Sequence, residues 1–283
     1  MMGLTATQFF GIPTLADDPK IEEAFFDPLK MPNGTFKRTQ PSRFFEIEQR
    51  FRSVFQARAA TISTVLDVGV SSGITSLELV TFLEGLGCQV TLTATDLFIH
   101  AYIVEIAPGL LVLADRNGQP LQYDVAGHPI RPWIRRLDYL TLAVLPRLAA
   151  SAVIRPIARR KIAAGAGRPV ELASQRLARR ADIFMVEDDI MVRRADFAGQ
   201  FDLVRAANIL NRGYFAPADL AQAVDNVRRY LRGPGTLFLV TRTTRDGRND
   251  GTLFELNGDG RFQSVERIGN GSEIEDIVVA SRP

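Results

Sequence analysis

Residues 63–96 constrain the fold more than any other stretch. Ser63-Thr64-Val65-Leu66-Asp67-Val68 is a short run rich in β-branched residues that ends in the turn Gly69-Val70-Ser71-Ser72-Gly73. The next residues, Thr75 to Leu83, carry helix formers, Gly85 to Gly87 close them off, and Gln89 to Thr95 read as a second strand ending at Asp96. Strand, glycine turn, helix and strand make a βαβ unit, whose two strands are parallel and whose crossover is expected to be right-handed.

The same alternation resumes at Ile183–Val186 and Phe201–Ala207, followed by a helix from Pro217 to Leu231 and a strand at Thr236–Val240. Together these segments predict a seven-stranded, mostly parallel, Rossmann-like α/β sheet with helices on both faces. Thr252–Leu256 and Ile277–Ala280, around the Asn257-Gly258-Asp259-Gly260 turn, are expected to pair as an antiparallel edge hairpin. Residues 1–40 read as an irregular arm with a short helix near Ile21–Phe26. Ser42 is a candidate N-cap for an amphipathic helix carrying Phe44, Ile47, Phe51, Val54 and Phe55 to about Ala60.

Between the two halves of the alternation lies an insertion. Leu110–Ala114 and Leu121–Val125 flank Asn117-Gly118, a strong hairpin signal. An apolar and basic helical stretch runs from Trp133 to about Lys161, then a loop at Gly165–Pro169 and a further helix through Arg180, so a mainly helical cap is expected. The resulting division is residues 1–60 (arm and helix), 61–104 (first half of the core), 105–181 (inserted cap) and 182–283 (second half of the core).

Cys88 is the single cysteine and there are two histidines, so neither an intrachain disulfide nor a protein metal centre is expected. The amino-terminal stretch has no basic region followed by a long apolar core, which argues against a secretory signal. The longest apolar run, Leu137 to Ile154, is interrupted by Asp138, Pro146 and Arg147 and does not read as a membrane span. A cytoplasmic location follows as the expectation.

A nucleoside-like ligand is expected at the carboxyl ends of parallel strands, where strand order reverses. Gly69 allows a sharp turn there, and the small Ser71 and Gly73 allow close approach to the backbone. Asp67, at the strand tip, can orient the loop or pair with an ammonium group. Asp96, with Leu97 behind it, ends the next strand, where a carboxylate can accept both hydroxyls of a ribose. Asp188 and Asp189 follow the third strand, placed for one of them to accept a base amine while Ile190 or Met191 packs on the ring.

In chain order, DVGVSSG, TATD, VEDDI, FDLVRAANIL and LRGPGTLFLV resemble the class I S-adenosylmethionine-dependent methyltransferases over roughly residues 62–100 and 183–280. The family's acidic glycine loop matches Asp67, Gly69 and Gly73, with Ser71 where glycine is commoner. Its ribose-binding acid matches Asp96, and its adenine-side acid matches Asp189, with Asp188 as rival. Its position after the fourth strand matches Asn208, with Ala206 and Ala207 as pocket walls. The resemblance implies S-adenosyl-L-methionine as cofactor and transfer of its methyl group to an acceptor. Such an in-line displacement needs proximity and orientation more than a base. No catalytic residue is assigned, and His100, Glu105 and His128 are the candidates if the acceptor must lose a proton.

The insertion points to the acceptor. Between Arg131 and Arg180 stand twelve Arg and Lys against two acids, Asp138 and Glu171, in a chain whose net charge is only +2. Trp133, Tyr139, Leu140, Leu142, Leu145 and Leu148 supply more apolar surface than one helix face needs. A small-molecule or lipid-like acceptor fits that composition, as does peripheral membrane contact; an inter-helix core or dimer interface is the plainer alternative. Rival functions are a non-catalytic binding or scaffold protein of this fold, an aminopropyltransferase-like enzyme, and a nucleic-acid methyltransferase. The last lacks an Asn-Pro-Pro-Tyr-type motif and aromatic residues interleaved with the arginines, which argues against nucleic acid as partner.

Overall fold

Two short helices open the chain, α1 (Ala6–Gly11) and α2 (Pro19–Phe26), joined by a 3-10 turn at Pro13–Asp17. Helix α3 (Phe45–Ala57), β1 (Thr64–Val68), α4 (Ile74–Gly85) and β2 (Thr91–Asp96) follow. Next come β3 (His100–Ala107), β4 (Leu110–Ala114), β5 (Pro120–Val125), β6 (His128–Ile130), α5 (Arg136–Leu140), α6 (Val144–Ala163), β7 (Arg168–Glu171) and α7 (Gln175–Ala178). The chain continues through β8 (Ile183–Glu187), β9 (Leu203–Ala207), α8 (Pro217–Tyr230), β10 (Leu237–Thr243), β11 (Asn249–Leu256), β12 (Phe262–Ile268) and α9 (Glu275–Ala280). This computed structural model describes residues 3–38 and 40–282. It resolves into two units, Met1–Gln40 with Phe98–Arg179, and Pro41–Leu97 with Arg180–Pro283.

The second unit holds a seven-stranded sheet in the order β12-β11-β10-β9-β1-β2-β8. β8, β2, β1, β9 and β10 are parallel, while β11 and β12 continue the sheet as antiparallel strands. Alternation along the parallel strands sorts their side chains by face. Leu66, Val68, Val204, Ala206, Phe238 and Val240 join Leu220, Val224 and Tyr230 of α8 in one core. Asp67 and Arg205 point the other way and meet Ser76 of α4. Helix α3 buries Ile47, Phe51 and Phe55. The architecture is a doubly wound, Rossmann-like α/β sheet.

In the second unit two details differ from the sequence expectation. Phe44, not Ser42, is the N-cap of α3; Ser42 sits at φ 59° and its N–H donates to Glu78 Oε1 at 2.7 Å. The partner of β11 is Phe262–Ile268, and Ile277 to Ala280 belongs to α9, whose Val278 is buried in the α8 core. Four apolar residues in a row at the chain end fit a buried helix turn as well as a strand, and packing decides between them.

The first unit is built on an antiparallel sheet in the order β6-β5-β4-β3-β7. Residues 3–38 cover one of its faces rather than forming an irregular arm: Phe9, Phe25, Phe26 and Leu29 pack on Ala101, Ile103, Leu113 and Leu121. The short helix expected near Ile21–Phe26 is α2, whereas α1, six residues long, is too short to show periodicity, although the Thr5–Gln8 capping box marks it. The other face is covered by α6, through Ile154 and Ala158 against Val104, Val112 and Tyr123. The insertion thus contributes strands as well as the helices expected of it. The Asn117-Gly118 hairpin forms, with Gly118 at φ 76° and no room for a Cβ, which would lie 2.5 Å from the Arg155 carbonyl oxygen. The stretch from Trp133 to Lys161 is two helices, broken at Leu142 (φ 57°), and the loop expected at Gly165–Pro169 runs into β7.

No described helix is long and apolar enough to cross a membrane, and no group of three metal-ligating side chains occurs among the described residues. Cys88 is buried, and burial raises its thiol pKa.

Candidate functional site

β1 has β2 on one side and β9 on the other, so the chain winds outward in both directions from it and strand order reverses between β1 and β9. Sheets of this class hold their ligands outside the strands' carboxyl ends beside such a reversal. The loop Gly69–Gly73 leaves β1 there. Gly69, Ser71 and Gly73 all adopt positive φ, at 73°, 59° and 79°. Two of them are glycines, for which the left-handed region is free of Cβ strain; Ser71 is not.

Backbone hydrogen bonds tie this loop to the neighbouring strand ends. The N–H groups of Gly69 and Val70 both donate to the Thr95 carbonyl, at 2.8 and 3.0 Å. The Ser71 N–H donates to Asp96 Oδ2 at 2.8 Å, and the Asp188 N–H donates to the Asp96 carbonyl at 3.0 Å. Three of the segments singled out from sequence therefore converge on the end of β2. The fourth arrives from β9: a Cβ on Gly69 would stand 3.0 Å from Cβ of Ile209, so the residue after Asn208 packs directly on the loop. Asn208 sits at φ 62°; its Oδ1 accepts from the Thr243 N–H at 2.7 Å and its own N–H donates to the Thr241 carbonyl at 2.8 Å. Leu97 is exposed.

After β8, Asp188 is half-buried, and burial raises its carboxyl pKa against the pull of Arg194, whose Nη1 lies 3.9 Å away. Asp189 is exposed, and its Oδ1 caps the Met191 N–H at 3.0 Å. The Ile190 side chain is buried in the α8 core, which leaves Met191, partly buried at the edge of that core, as the apolar side chain nearer the surface.

Asp67 is fully engaged within the protein. Arg205 donates from Nε to Oδ1 at 2.9 Å and from Nη2 to Oδ2 at 2.5 Å, and the Ser76 hydroxyl donates to Oδ2 at 2.6 Å. Arg205 also donates to the Thr75 carbonyl, at 2.9 Å. Of the two roles open to Asp67 in the sequence, this geometry serves the orientation of the loop and the first turn of α4. Burial by itself would lower the Arg205 pKa, but the charge and hydrogen bonds of Asp67 hold it above its ordinary value. Glu48 of α3 belongs to the same buried group. The residue is only 8% exposed and its Oε1 has no hydrogen-bond partner. Burial pushes it up to about 7, against the attraction of Arg205 and with repulsion from Glu78.

Arg205 and Glu48 escaped the sequence reading, yet both leave a trace. Arg205 is a lone cation inside an apolar parallel strand, in register with Asp67. Glu48 is a lone acid within the stripe Ile47, Phe51, Phe55 that the helix buries. The histidines and Glu105, candidates for proton removal, all belong to the first unit.

For a nucleoside bearing a charged tail, the fit is uneven. The loop conformation, Asp96 beside it and the fully buried Ser72 Oγ, which has no partner within the protein, all suit such a ligand. Asp67, committed to Arg205 and Ser76, does not offer itself to an ammonium group.

No family model and no curated protein matches the chain. Solved structures similar to it include an O-methyltransferase family protein from Burkholderia thailandensis, 15% identical, with 82% of this chain and 44% of that one covered and a TM-score of 0.35. The PH0226 protein of Pyrococcus horikoshii OT3 is 13% identical over 88% of this chain and 85% of that one, with a TM-score of 0.36. The CMeT domain of the citrinin polyketide synthase is 15% identical over 65% of this chain, with a TM-score of 0.32, and this chain spans 30% of its length.

Proposed function

We propose that this chain is an S-adenosylmethionine-dependent methyltransferase acting on a small or lipophilic acceptor. The observation that carries the reading is the convergence of the Gly69–Gly73 loop, Asp96, Asp188 and Asn208–Ile209 on the carboxyl ends of strands either side of the reversal point. In this reading Asp96 accepts the ribose hydroxyls, the loop backbone lies along the methionine portion, and Asp188 or Asp189, with Leu97 and Met191, borders the adenine. Ile190 supports that edge from beneath. Asn208 holds the wall opposite the loop.

Held there by Asp96 and the Gly69–Gly73 loop, the cofactor would supply an electrophilic methyl group on a positively charged sulfur for transfer to an acceptor lone pair. The protein's task is alignment, which can lower the barrier by about 7–11 kcal/mol in favourable cases. Acceptors that ionise or lose their proton to solvent need no base from the chain.

Calorimetric titration of the folded protein with S-adenosylmethionine and S-adenosylhomocysteine tests the cofactor directly. Saturable binding of both is expected. Absence of binding to either would instead favour a scaffold that keeps the fold, a reading with its own support in the internal engagement of Asp67.

A further inference from the structure

The first unit turns apolar side chains outward where its own sheet has no use for them. Helix α6 packs inward through Ile154 and Ala158, with Ala150 and Ile162 beside them, a stripe of four-residue spacing. A flank of the helix, adjoining the Gly118 turn at its carboxyl-terminal half, carries Leu145, Leu148, Ala152, Arg155 and Arg159, which recur at three- and four-residue intervals and are all exposed. That outward stripe is aliphatic at its amino-terminal half and cationic at its carboxyl-terminal half. Helix α5 and the turn after it extend the aliphatic end: Leu140 is 83% exposed and Leu142 66%. The surrounding charge is one-sided. Asp138 is withdrawn from the surface, buried under Arg131 and Arg147, so of the two acids in this arginine-rich stretch only Glu171 faces outward.

We propose that this face docks on an anionic lipid surface. Leu140, Leu142, Leu145 and Leu148 enter the interface, while Arg155 and Arg159 pair with headgroup phosphates. Aliphatic burial and electrostatic attraction then act together, as they do for helices that lie in the interfacial plane. The chain rests on the membrane rather than crossing it, in keeping with the absence of a spanning helix among the described residues. A second copy of the chain is a poorer occupant. Antiparallel packing of two such helices would set each cationic end against the partner's leucines, and parallel packing would set arginine against arginine. Nucleic acid would use the arginines but not four exposed leucines, since bases stack on aromatic rings.

The test is co-sedimentation of the full chain with sucrose-loaded vesicles of phosphatidylcholine alone and of phosphatidylcholine containing one-third phosphatidylglycerol, at low and high salt. Binding is expected to the anionic vesicles only and to weaken as salt rises. The pair Leu140→Asp with Leu145→Asp, and separately Arg155→Ala with Arg159→Ala, should each reduce it by about tenfold or more. All four positions are exposed, and an unchanged circular dichroism melt verifies that the variants fold. Three results would overturn the proposal: no sedimentation of the folded protein, equal binding to neutral vesicles, or binding to duplex DNA in place of vesicles. A concentration-dependent dimer that the leucine substitutions abolish, without vesicle binding, would assign the face to a second copy instead.

Discussion

Asp67 and Arg205 are register partners on adjacent parallel strands and meet through both carboxylate oxygens, each side chain almost completely buried. The acid at the head of the glycine loop is thereby the anchor of an internal ion pair. A buried pair of this kind is expensive to break from one side, because the remaining charge has nowhere to go.

Asp67→Asn or Arg205→Met alone should therefore lower stability by about 3–5 kcal/mol, and the double substitution by clearly less than the sum. Urea unfolding of the three variants measures this. If Asp67→Asn instead left stability intact and abolished cofactor binding, the acid would be a ligand contact and the anchoring role would be wrong.

Glu48 gives the same cluster a pH dependence. Its carboxyl titrates near 7 in the folded chain, against an ordinary value of 4.5. The folded state thus holds this proton more tightly than the unfolded chain does. The stabilisation is complete below the unfolded value, declines as pH rises, and is gone above the folded one. Between pH 5 and 8 the protein should lose about 2–3 kcal/mol on this account. In Glu48→Gln that slope should vanish; an unchanged slope would place its origin elsewhere.

Gly69 combines φ 73° with a Cβ position 3.0 Å from Cβ of Ile209. Gly69→Ala strains both the backbone and this packing, and a loss of about 1–3 kcal/mol is expected in thermal or urea unfolding. Cofactor affinity should fall with it, because the same turn sets the direction of the Ser71 N–H.

How much of this was legible in the sequence varies by residue. The βαβ unit around Gly69 was readable because strand, turn and helix each obey a local rule there, and the Asn117-Gly118 hairpin for the same reason. Helix α1, with six residues, spans fewer than two turns and has no period to detect. The strand assigned to Ile277–Ala280 failed because a short apolar run fits either period, and only the buried site beside α8 selects helix. The convergence of Asp96 with Ser71 could be foreseen from strand order; the Asp67–Arg205 pair could not, because its register is set by packing.

Asp96 allows two roles to be separated. Asp96→Ala removes both the acceptor for the Ser71 N–H and the proposed ribose contact, and should weaken cofactor binding by about 1–3 kcal/mol. Asp96→Asn keeps one oxygen for Ser71, so the loop should remain ordered while the ribose contact weakens. Titration calorimetry on both variants distinguishes them; unchanged affinity in Ala would remove Asp96 from the site.

Asp138 holds the start of α5 by accepting from two nitrogens of Arg131 and from the Arg135 N–H at 2.7–2.8 Å. These hydrogen bonds, with that of Arg131 first, hold its carboxyl well below the usual range. Asp138→Asn should speed hydrogen exchange across residues 131–147 and leave the seven-stranded sheet unaffected; equal rates in the variant would show that the arginines are held by other means.

Each of the two units is assembled from segments that are not neighbours in the chain. The Ala6 N–H finds its acceptor on Gln122, and Glu22 finds its cation on Arg176, 154 positions away. On the ribosome, the first forty residues emerge long before their sheet exists, and the sheet's own interruption splits the second unit in turn. The first unit can therefore be completed only once residue 179 has been made, and the second, begun between its two segments, only after residues 180–283 follow. Growing chains cut short anywhere before β7 would carry Phe9, Phe25 and Phe26 without their full cover, which makes truncated forms of this protein natural clients for chaperones.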